Sequence, residues 1–343
     1  MAHPLPPCPP ERASLAANIA FLSRPENYPD ATASVHVRET HMSWVFLTER
    51  YAYKLKKPVR YPFLDFSTLE RRHNNSDEEV RLNRRLAPGV YLGVVALARD
   101  PTGRLRLEGA GEPVEWLVKM RRLPDECMLD RAIAARRVPA ERIANAARLL
   151  VDFYHGTPVV TLAADIYRRR INDRLETSCT ALLQARYSLP AARIQTVCSA
   201  QRSFVARHPA MIDARASHVR EAHGDLRPEH VCLLPAPVII DCLEFNRDFR
   251  LLDPVDELSF LALECERLGN LGVGQTFLDT YRHATRDIPP AELIAFYQSL
   301  WAMLRARLCV WHLDDPTVST PTKWITLALD YLALAETRVQ RLT

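Results

Sequence analysis

Lysine is scarce in this chain, with only five lysines among 343 residues against 40 arginines. This imbalance is typical of codon bias in a GC-rich genome. Acidic residues are interleaved throughout, the net charge is only +4 and no basic run dominates, so a nucleic-acid-binding surface is not predicted. Three of the five lysines nevertheless lie together, at Lys54, Lys56 and Lys57.

Long apolar runs and paired cysteines are also missing. None of the eight cysteines forms a C-x-x-C pair, which argues against a zinc ribbon or a disulfide framework and favours a reducing compartment. No stretch reaches about 18 uncharged apolar residues, and the N-terminus lacks a signal-peptide pattern. We therefore expect a cytoplasmic protein with neither a membrane nor a nucleic-acid partner.

Several enzyme motifs are absent. The sequence contains no G-x-x-x-x-G-K-[ST], no G-x-S-x-G and no H-E-x-x-H, so a P-loop kinase in particular is excluded on motif grounds. Apolar residues make up 48% and charged residues 25%, as is ordinary for a globular protein.

The first third of the chain has the pattern of strands around one helix. Period-two alternation and apolar runs predict strands near 35–37, 44–47, 51–55, 91–98 and 114–120. The helix is predicted to begin with Asn75 or Ser76 as N-cap, because the acids that follow would complement its dipole, and to end before Pro88.

Helical periodicity dominates after Pro124. The predicted helices cover 140–154, 192–206, 256–268, 290–311 and 324–342. One extended island interrupts them at 223–245, where apolar runs at 231–234 and 238–240 flank a Pro-Ala-Pro turn in a hairpin pattern. We expect a small β-rich lobe at 1–120 and a larger helical lobe at 121–343.

The island carries the residues with the clearest chemistry, His223-Gly224-Asp225-Leu226-Arg227 and Asp241. An acid before one short strand and another after the next would bring two carboxylates to the same end of a hairpin. Phosphoryl transfer uses such a pair: one carboxylate orients the attacking hydroxyl and accepts its proton, and the other holds Mg²⁺ on the nucleotide phosphates.

This segment resembles the catalytic loop of protein kinases, H-R-D-x-x-x-x-N followed by D-F-G. The glycine after His223 makes it more similar to the aminoglycoside phosphotransferase family, which carries H-G-D. The resemblance implies an α+β, two-lobed protein-kinase-like fold. It also implies that Asp225 is the catalytic base, that Asp241 is a metal ligand, and that Arg227 neutralises charge on the moving phosphoryl group.

His230 departs from that pattern, because it stands where these enzymes use Asn to bind the metal. Mg²⁺ prefers oxygen ligands, although a neutral imidazole does bind metals. Three alternatives stay open: His230 binds the metal directly and favours Mn²⁺, it acts through water, or the site is catalytically weak.

The first third supports the same interpretation. The segment Tyr51-Ala52-Tyr53-Lys54 resembles the V-A-I-K strand of kinases, and alternation places Ala52 and Lys54 on one face. Adenine would lie beside Ala52, and the Lys54 amine would reach the phosphates. Lys56 shares that face, but we expect it to be a solvated lysine at the strand end.

The remaining candidates follow from the resemblance. Glu79 would pair with the lysine, the alternative being an acid stabilised by the helix dipole alone. Thr40 and Ser43 lie in the turn expected to cover the phosphates, which lacks glycine and is equally typical of an ordinary hairpin. The hinge at 118–123 includes Met120, where adenine would bond to backbone. Two acids complete the set: Glu244 near the metal, and Asp256 bracing the catalytic loop.

The sequence therefore predicts an ATP-dependent phosphotransferase that uses Mg²⁺, or Mn²⁺, to phosphorylate a hydroxyl group of a small molecule. The first alternative is a weak or inactive nucleotide-binding pseudokinase module. The second is a metal-dependent hydrolase, which would leave Lys54 and Glu79 without a role. The acceptor's identity, the choice between ATP and GTP, and the oligomeric state are left open.

Overall fold

The structure is a computed structural model that describes residues 9–315, 318 and 320–342, with the side chains of 9–13 excepted. The chain divides into two compact units, Met1–Asp125 with Val238–Arg247, and Glu126–Pro237 with Asp248–Thr343. The first unit thus includes a short segment from far beyond the expected boundary at residue 120. The expected roles of the two lobes stay a prediction.

The first unit is built on a six-stranded antiparallel sheet. Its strands are β1 (His36–Glu39), β2 (Ser43–Leu47), β3 (Tyr51–Lys56), β6 (Tyr91–Arg99), β7 (Leu105–Leu107) and β8 (Glu112–Arg121). They lie in the order β1-β2-β3-β8-β6-β7. Two further short strands, β4 (Arg60–Tyr61) and β5 (Leu64–Asp65), pair with each other, and helix α1 spans Pro9–Leu22. All five predicted strands are present.

Alternation along β3 separates two apolar clusters. Tyr53 and Leu55 pack with Leu22, Phe46 and Leu117 on one face. Residues of the opposite face, including Ala52, pack with Val80 of helix α2 (Leu69–Asn83) and with Met120. Because side chains alternate along a strand, the two lysines at 54 and 56 point to the side of the sheet that α2 covers.

The predicted start of helix α2 is wrong. The helix begins at Leu69 with Thr68 as N-cap, whose side chain accepts a hydrogen bond from the Arg71 N–H over 3.2 Å. Ser76 lies inside the helix and donates its hydroxyl to the Arg72 carbonyl instead, a bond that lets a small polar residue sit in a helix interior.

An ion pair fixes α2 to the sheet. The Arg72 guanidinium binds both carboxylate oxygens of Glu115 on β8, at 3.0 and 2.6 Å, and both side chains are buried. A bidentate pair of this kind is strongly directional. It therefore sets the rotation of the helix and decides which residues of α2 face β3.

The second unit is mainly helical. Its long helices are α4 (Ala140–Gly156), α5 (Ala164–Leu182), α6 (Ala191–Arg207), α9 (Pro254–Arg267), α10 (Leu271–Thr285), α11 (Ala291–Trp311) and α12 (Pro321–Val339). Short helices occur at α3 (Leu129–Ala134), α7 (Pro209–Ala214) and α8 (Arg247–Arg250). The five predicted helices are confirmed, whereas α5 and α10 were not predicted. In the described part of the chain no helix is long and apolar enough to cross a membrane.

Short extended segments interrupt these helices at β9 (Arg220–Glu221), β10 (Val231–Cys232) and β12 (Leu251–Leu252), whereas β11 (Val238–Ile239) belongs to the first unit. β9 pairs with β12 in antiparallel fashion, which brings the chain before His223 beside the chain that leads into α9. Cys179 and Cys198 form a disulfide between α5 and α6. The spacing argument against a disulfide framework did not anticipate this bond.

Candidate functional site

Lys54 lies at the centre of a charged cluster in the first unit. Its Nζ is 2.9 Å from Oε1 of Glu79 and 2.8 Å from Oδ1 of Asp241. The three residues come from β3, α2 and the 238–247 segment. The structure therefore brings together the lysine, the helix glutamate and the second island acid that the sequence singled out.

Lys56 extends the same cluster, and its expected solvation is wrong. Its Nζ lies 2.5 Å from Oε2 of Glu79 and 2.5 Å from Oε1 of Glu244, and the side chain is only 1% exposed. Its placement on the helix-covered face, two residues after Lys54, explains the burial. We call these five residues the lysine cluster: Lys54, Lys56, Glu79, Asp241 and Glu244.

The charges in the cluster depend on one another. Burial acts to raise the pKa of Glu79, but the adjacent Lys54 and Lys56 outweigh it and hold the pKa below its usual range. Burial acts to lower the pKa of Lys54, but Asp241 and Glu79 raise it well above its ordinary value. For Glu244 burial prevails and raises the pKa.

Helix position explains why Glu79 needs these lysines. It is far from the start of α2 at Leu69 and only four residues from the end at Asn83. The helix dipole favours acids at the N-terminus and disfavours them near the C-terminus. The alternative of an acid stabilised by the dipole alone is therefore wrong, and the lysines supply the compensating charge.

The segment that carries Asp241 is fixed by backbone hydrogen bonds. The Asp241 N–H donates to the Tyr91 hydroxyl over 3.1 Å, and the Cys242 N–H donates to Oδ1 of Asn83 over 2.9 Å. Asp241 itself has a φ of 64°, a left-handed conformation that is uncommon for non-glycine residues but more frequent for Asp than for most. Sequence reasoning missed Tyr91 and Asn83, because neither belongs to a motif.

Ala52 and Met120 lie opposite each other on neighbouring strands β3 and β8. Both belong to the apolar cluster on the lysine side of the sheet, together with Val118 and the partly buried Ile240. Ala52 contributes only a methyl group to this cluster, and its neighbours there are all apolar or aromatic.

Thr40 and Ser43 are hydrogen-bonded to each other across the β1–β2 turn. The Thr40 hydroxyl donates to the Ser43 carbonyl over 3.0 Å and accepts the Ser43 N–H over 3.0 Å. The Ser43 side chain is buried. These contacts shape the turn, and a role in covering phosphates stays a prediction.

In the second unit, the H-G-D segment is held by a buried acid. The N–H groups of His223 and Gly224 donate to the Glu257 carboxylate over 3.2 and 2.6 Å. Tyr154 donates its hydroxyl to the same carboxylate over 2.7 Å. Gly224 has a φ of 89°, a conformation that glycine adopts without strain, so the loop requires a glycine at this position.

Glu257 replaces Asp256 as the brace of this loop. Asp256 instead pairs with Arg174 over 2.8 Å and accepts the Trp301 indole N–H over 2.8 Å. The prediction that Asp256 braces the catalytic loop is therefore wrong by one residue. Asp256 and Glu257 are adjacent acids in the first turn of α9, and periodicity alone does not distinguish them.

Asp225 follows the glycine and lies beside arginine and histidine side chains. Oδ2 of Asp225 lies 3.1 Å from a guanidinium nitrogen of Arg227. Burial acts to raise the pKa of Asp225, but Arg227, His230, Arg305 and His223 together lower it below its ordinary value. The carboxylate is therefore ionised at neutral pH and able to accept a proton.

His223 and His230 have defined contacts within the loop. His223 accepts the Asp225 N–H at Nδ1 over 3.2 Å. His230 is bonded at Nδ1 to the Asp225 carbonyl over 2.8 Å, and its Nε2 lies 3.5 Å from an Arg227 guanidinium nitrogen. Both imidazoles thus support the backbone around Asp225.

Arg305 is a residue of this region that the sequence did not reveal. It lies on α11, its charge helps to lower the pKa of Asp225, and its Nε is 3.3 Å from the Tyr331 hydroxyl. Burial acts to lower the pKa of Arg305, but Tyr331 and Glu264 raise it above its ordinary value. No motif connects positions 225 and 305.

A metal can be tested against these donors. Within the ranges that the structure describes, no group of three or more His, Cys, Asp and Glu side chains converges as a metal site. The Asp241 carboxylate is 43% exposed and offers the oxygen donor that Mg²⁺ prefers. That donor chemistry fits, and a cation bound there would displace the Lys54 ammonium.

Comparison with known proteins gives distant relatives. No family model matches the chain. Uncharacterised proteins of Mycobacterium bovis and Mycobacterium tuberculosis are 32% identical over 291 residues, which cover 80% of this chain and 55% of theirs. The chain thus spans about half the length of the curated relatives it matches.

Solved structures are similar over nearly the whole chain. The GDP and kanamycin complex of APH(2")-IIia has a TM-score of 0.58 and 15% identity, covering 94% of this chain and 98% of that one. Aminoglycoside phosphotransferase APH(4)-Ia has a TM-score of 0.55 and 8% identity, with 96% and 99% covered. A choline/ethanolamine kinase family protein from Mesorhizobium loti has a TM-score of 0.54 and 15% identity, with 96% and 98% covered.

These likenesses establish the fold. The chain has the α+β, protein-kinase-like fold of the aminoglycoside phosphotransferases, with a small β-rich lobe and a larger helical lobe. The predicted fold class is confirmed. Because a fold hosts several activities, function has to be argued from the residues described above.

Proposed function

We propose that the chain is an ATP-dependent phosphotransferase that moves the γ-phosphate to a hydroxyl group of a small molecule. The observation that carries this proposal is the Asp241–Lys54–Glu79 arrangement, with contacts of 2.8 and 2.9 Å. A lysine held by a helix glutamate and a metal-binding acid is what nucleotide positioning in this fold requires. The ionised Asp225 on its braced loop supplies the second half of the chemistry.

Asp225 acts on the acceptor in this proposal. Its carboxylate accepts a hydrogen bond from the acceptor hydroxyl and takes the proton as that oxygen bonds to the γ-phosphorus. The bond from the γ-phosphorus to the bridging oxygen breaks, and ADP leaves. Arg227 offsets the charge on the transferred group, and His223 and His230 hold the loop.

The first unit binds the nucleotide in this proposal. Lys54 contacts the phosphates, and adenine lies on the apolar surface at Ala52 and Met120 and bonds to backbone. When bound, Mg²⁺ would neutralise phosphate charge, and Asp241 would hold it. His230, the other predicted ligand, would first have to turn its Nε2 away from Arg227.

The structures that this chain resembles support the class of acceptor. One is a complex with kanamycin and another is a choline/ethanolamine kinase family protein, so hydroxyl-bearing small molecules are the acceptors to test first. The relatives are longer than the part that they share with this chain. Any activity of the whole protein is therefore also a proposal.

Coupled detection of ADP tests the proposal. Wild type, Asp225→Asn and Lys119→Met would be assayed with ATP and GTP against amino sugars, amino alcohols and aminoglycosides. Lys119→Met is the control, because it removes a lysine of the same sheet that pairs with Glu108 over 2.7 Å and lies outside the lysine cluster. We expect the control to match wild type and Asp225→Asn to lose phosphotransfer while keeping nucleotide binding. Equal rates for Asp225→Asn would sink the proposal.

A second candidate is a nucleotide-binding module without turnover. Its support is His230, bonded to the Asp225 carbonyl over 2.8 Å at the position where kinases use Asn. Tight ATP binding without ADP release, in both Mg²⁺ and Mn²⁺, would favour it. Gain of turnover in His230→Asn would show that this one residue limits the chemistry.

A further inference from the structure

We propose that Lys56 is a second positioning lysine of the nucleotide site, offsetting the buried carboxylates of Glu79 and Glu244 so that Lys54 is able to serve the phosphates. The inference rests on the proposed function and adds a residue that the kinase pattern does not contain. It starts from the geometry of Lys56, whose Nζ lies 2.5 Å from each of the two carboxylates.

Lys56 is built into the protein interior. It is 1% exposed, against 14% for Lys54, and its ammonium lies 5.1 Å from the centre of the Phe66 ring. A ligand in solution would therefore meet Lys54 first. Lys56 acts through Glu79, and it is a positioning residue rather than a ligand contact.

Charge balance gives Lys56 its task. The lysine cluster has three carboxylates and two ammonium groups. When Lys54 turns toward phosphate, its pair with Glu79 weakens, and Glu79 is fully buried. An uncompensated buried carboxylate is costly by several kcal/mol. Lys56 keeps that carboxylate paired, so the cost of moving Lys54 is small.

The lysine also connects two chain segments. Oε1 of Glu79 contacts Lys54 and Oε2 contacts Lys56, so one carboxylate joins both lysines. Lys54 then reaches Asp241, and Lys56 reaches Glu244, three residues further along. The segment that carries Asp241 is thereby held at two points by residues of the same strand.

Two variants separate this role from packing. Lys56→Met keeps the length of the side chain but leaves three carboxylates with one ammonium. Lys56→Met/Glu244→Gln keeps the same methionine and also neutralises the second carboxylate that Lys56 contacts, which restores the charge balance.

The experiment measures affinity for Mg-ATP by calorimetry near neutral pH. Lys56→Met should bind about tenfold or more weakly than wild type. The double variant should recover most of the lost affinity, because its charge balance is restored around the same methionine. Lys119→Met should match wild type.

The outcomes are distinguishable. An equal loss of affinity in the single and double variants would mean that Lys56 only packs, and would overturn the inference. Absence of nucleotide binding in wild type would instead overturn the proposed function. If Lys56→Met is too unstable for calorimetry, melting temperatures decide: the double variant should melt closer to wild type than the single variant, and equal melting temperatures of the two variants would contradict the charge argument.

Discussion

The Gly224 N–H donates a 2.6 Å hydrogen bond to the buried carboxylate of Glu257. Through this contact the first turn of α9 fixes the residue immediately before Asp225. The loop is therefore positioned by backbone groups and not only by side chains. Such support matters because a misplacement of about 1 Å is able to cost about 100-fold in rate.

We predict that Glu257→Gln lowers kcat by about 10- to 100-fold and leaves the affinity for nucleotide within about twofold. An amide presents a donor to one of two N–H groups that need an acceptor. Tyr154→Phe is the matched comparison, because it removes a hydroxyl bond to the same carboxylate and keeps both backbone bonds. Steady-state kinetics on both variants checks this, and equal kcat losses would contradict it.

A second prediction concerns the pH dependence of Asp225. Its folded pKa lies below its ordinary value, with Arg227 the largest of the lowering influences. The carboxylate therefore contributes stability above its unfolded pKa and loses it as the pH falls through the folded pKa. Activity that needs ionised Asp225 should fall only in strongly acidic solution.

Arg227→Met should move this acid limb to higher pH. Without the Arg227 guanidinium, the effect of burial, which raises the pKa of Asp225, is opposed less strongly. Glu229→Gln is the control, because it removes a charge that contacts Arg227 over 2.7 Å and leaves the guanidinium beside Asp225 in place. The logarithm of kcat/KM against pH checks the shift. An unmoved acid limb in Arg227→Met would refute the electrostatic argument.

Local pattern was sufficient for part of this site. Alternation along β3 placed Ala52 and Lys54 on one face, and apolar runs located the neighbouring strands. The H-G-D motif located the loop around Asp225, and the φ of 89° at Gly224 shows why a glycine stands there. These features depend on residues close together in the chain, which is why the sequence was informative.

The missing parts depend on distant partners. Lys56 looked like a solvated lysine because Glu244 is 188 residues away along the chain. Helix α5 is rich in charge, and its apolar residues, spaced four apart at Tyr167, Ile171 and Leu175, were not recognised. Glycines at the start of α10 had the same effect, since glycine weakens a helix prediction.

A third prediction tests the backbone at Gly224. Gly224→Ala forces a side chain into a left-handed conformation, at a cost of about 1–2 kcal/mol. Gly103→Ala is a close control, because Gly103 has a φ of 85° and open space around its α-carbon. Both variants should lose similar stability in urea titrations, but only Gly224→Ala should lose kcat. Equal kcat losses would show that strain acts through global stability.

The disulfide between Cys179 and Cys198 gives the last prediction. It joins α5 and α6 across a separation of 19 residues. Closing a loop of this size lowers the conformational entropy of the unfolded chain, which stabilises the folded state by about 3 kcal/mol. Reductant should therefore lower the free energy of unfolding of wild type by about that amount. Cys179→Ala/Cys198→Ala should start from the lower value and show no response to reductant. Cys127→Ala, which removes a free cysteine, should keep the full response. Urea titrations with thiol counts check each form, and a reduced wild type with unchanged stability would show that the two helices are held by packing alone.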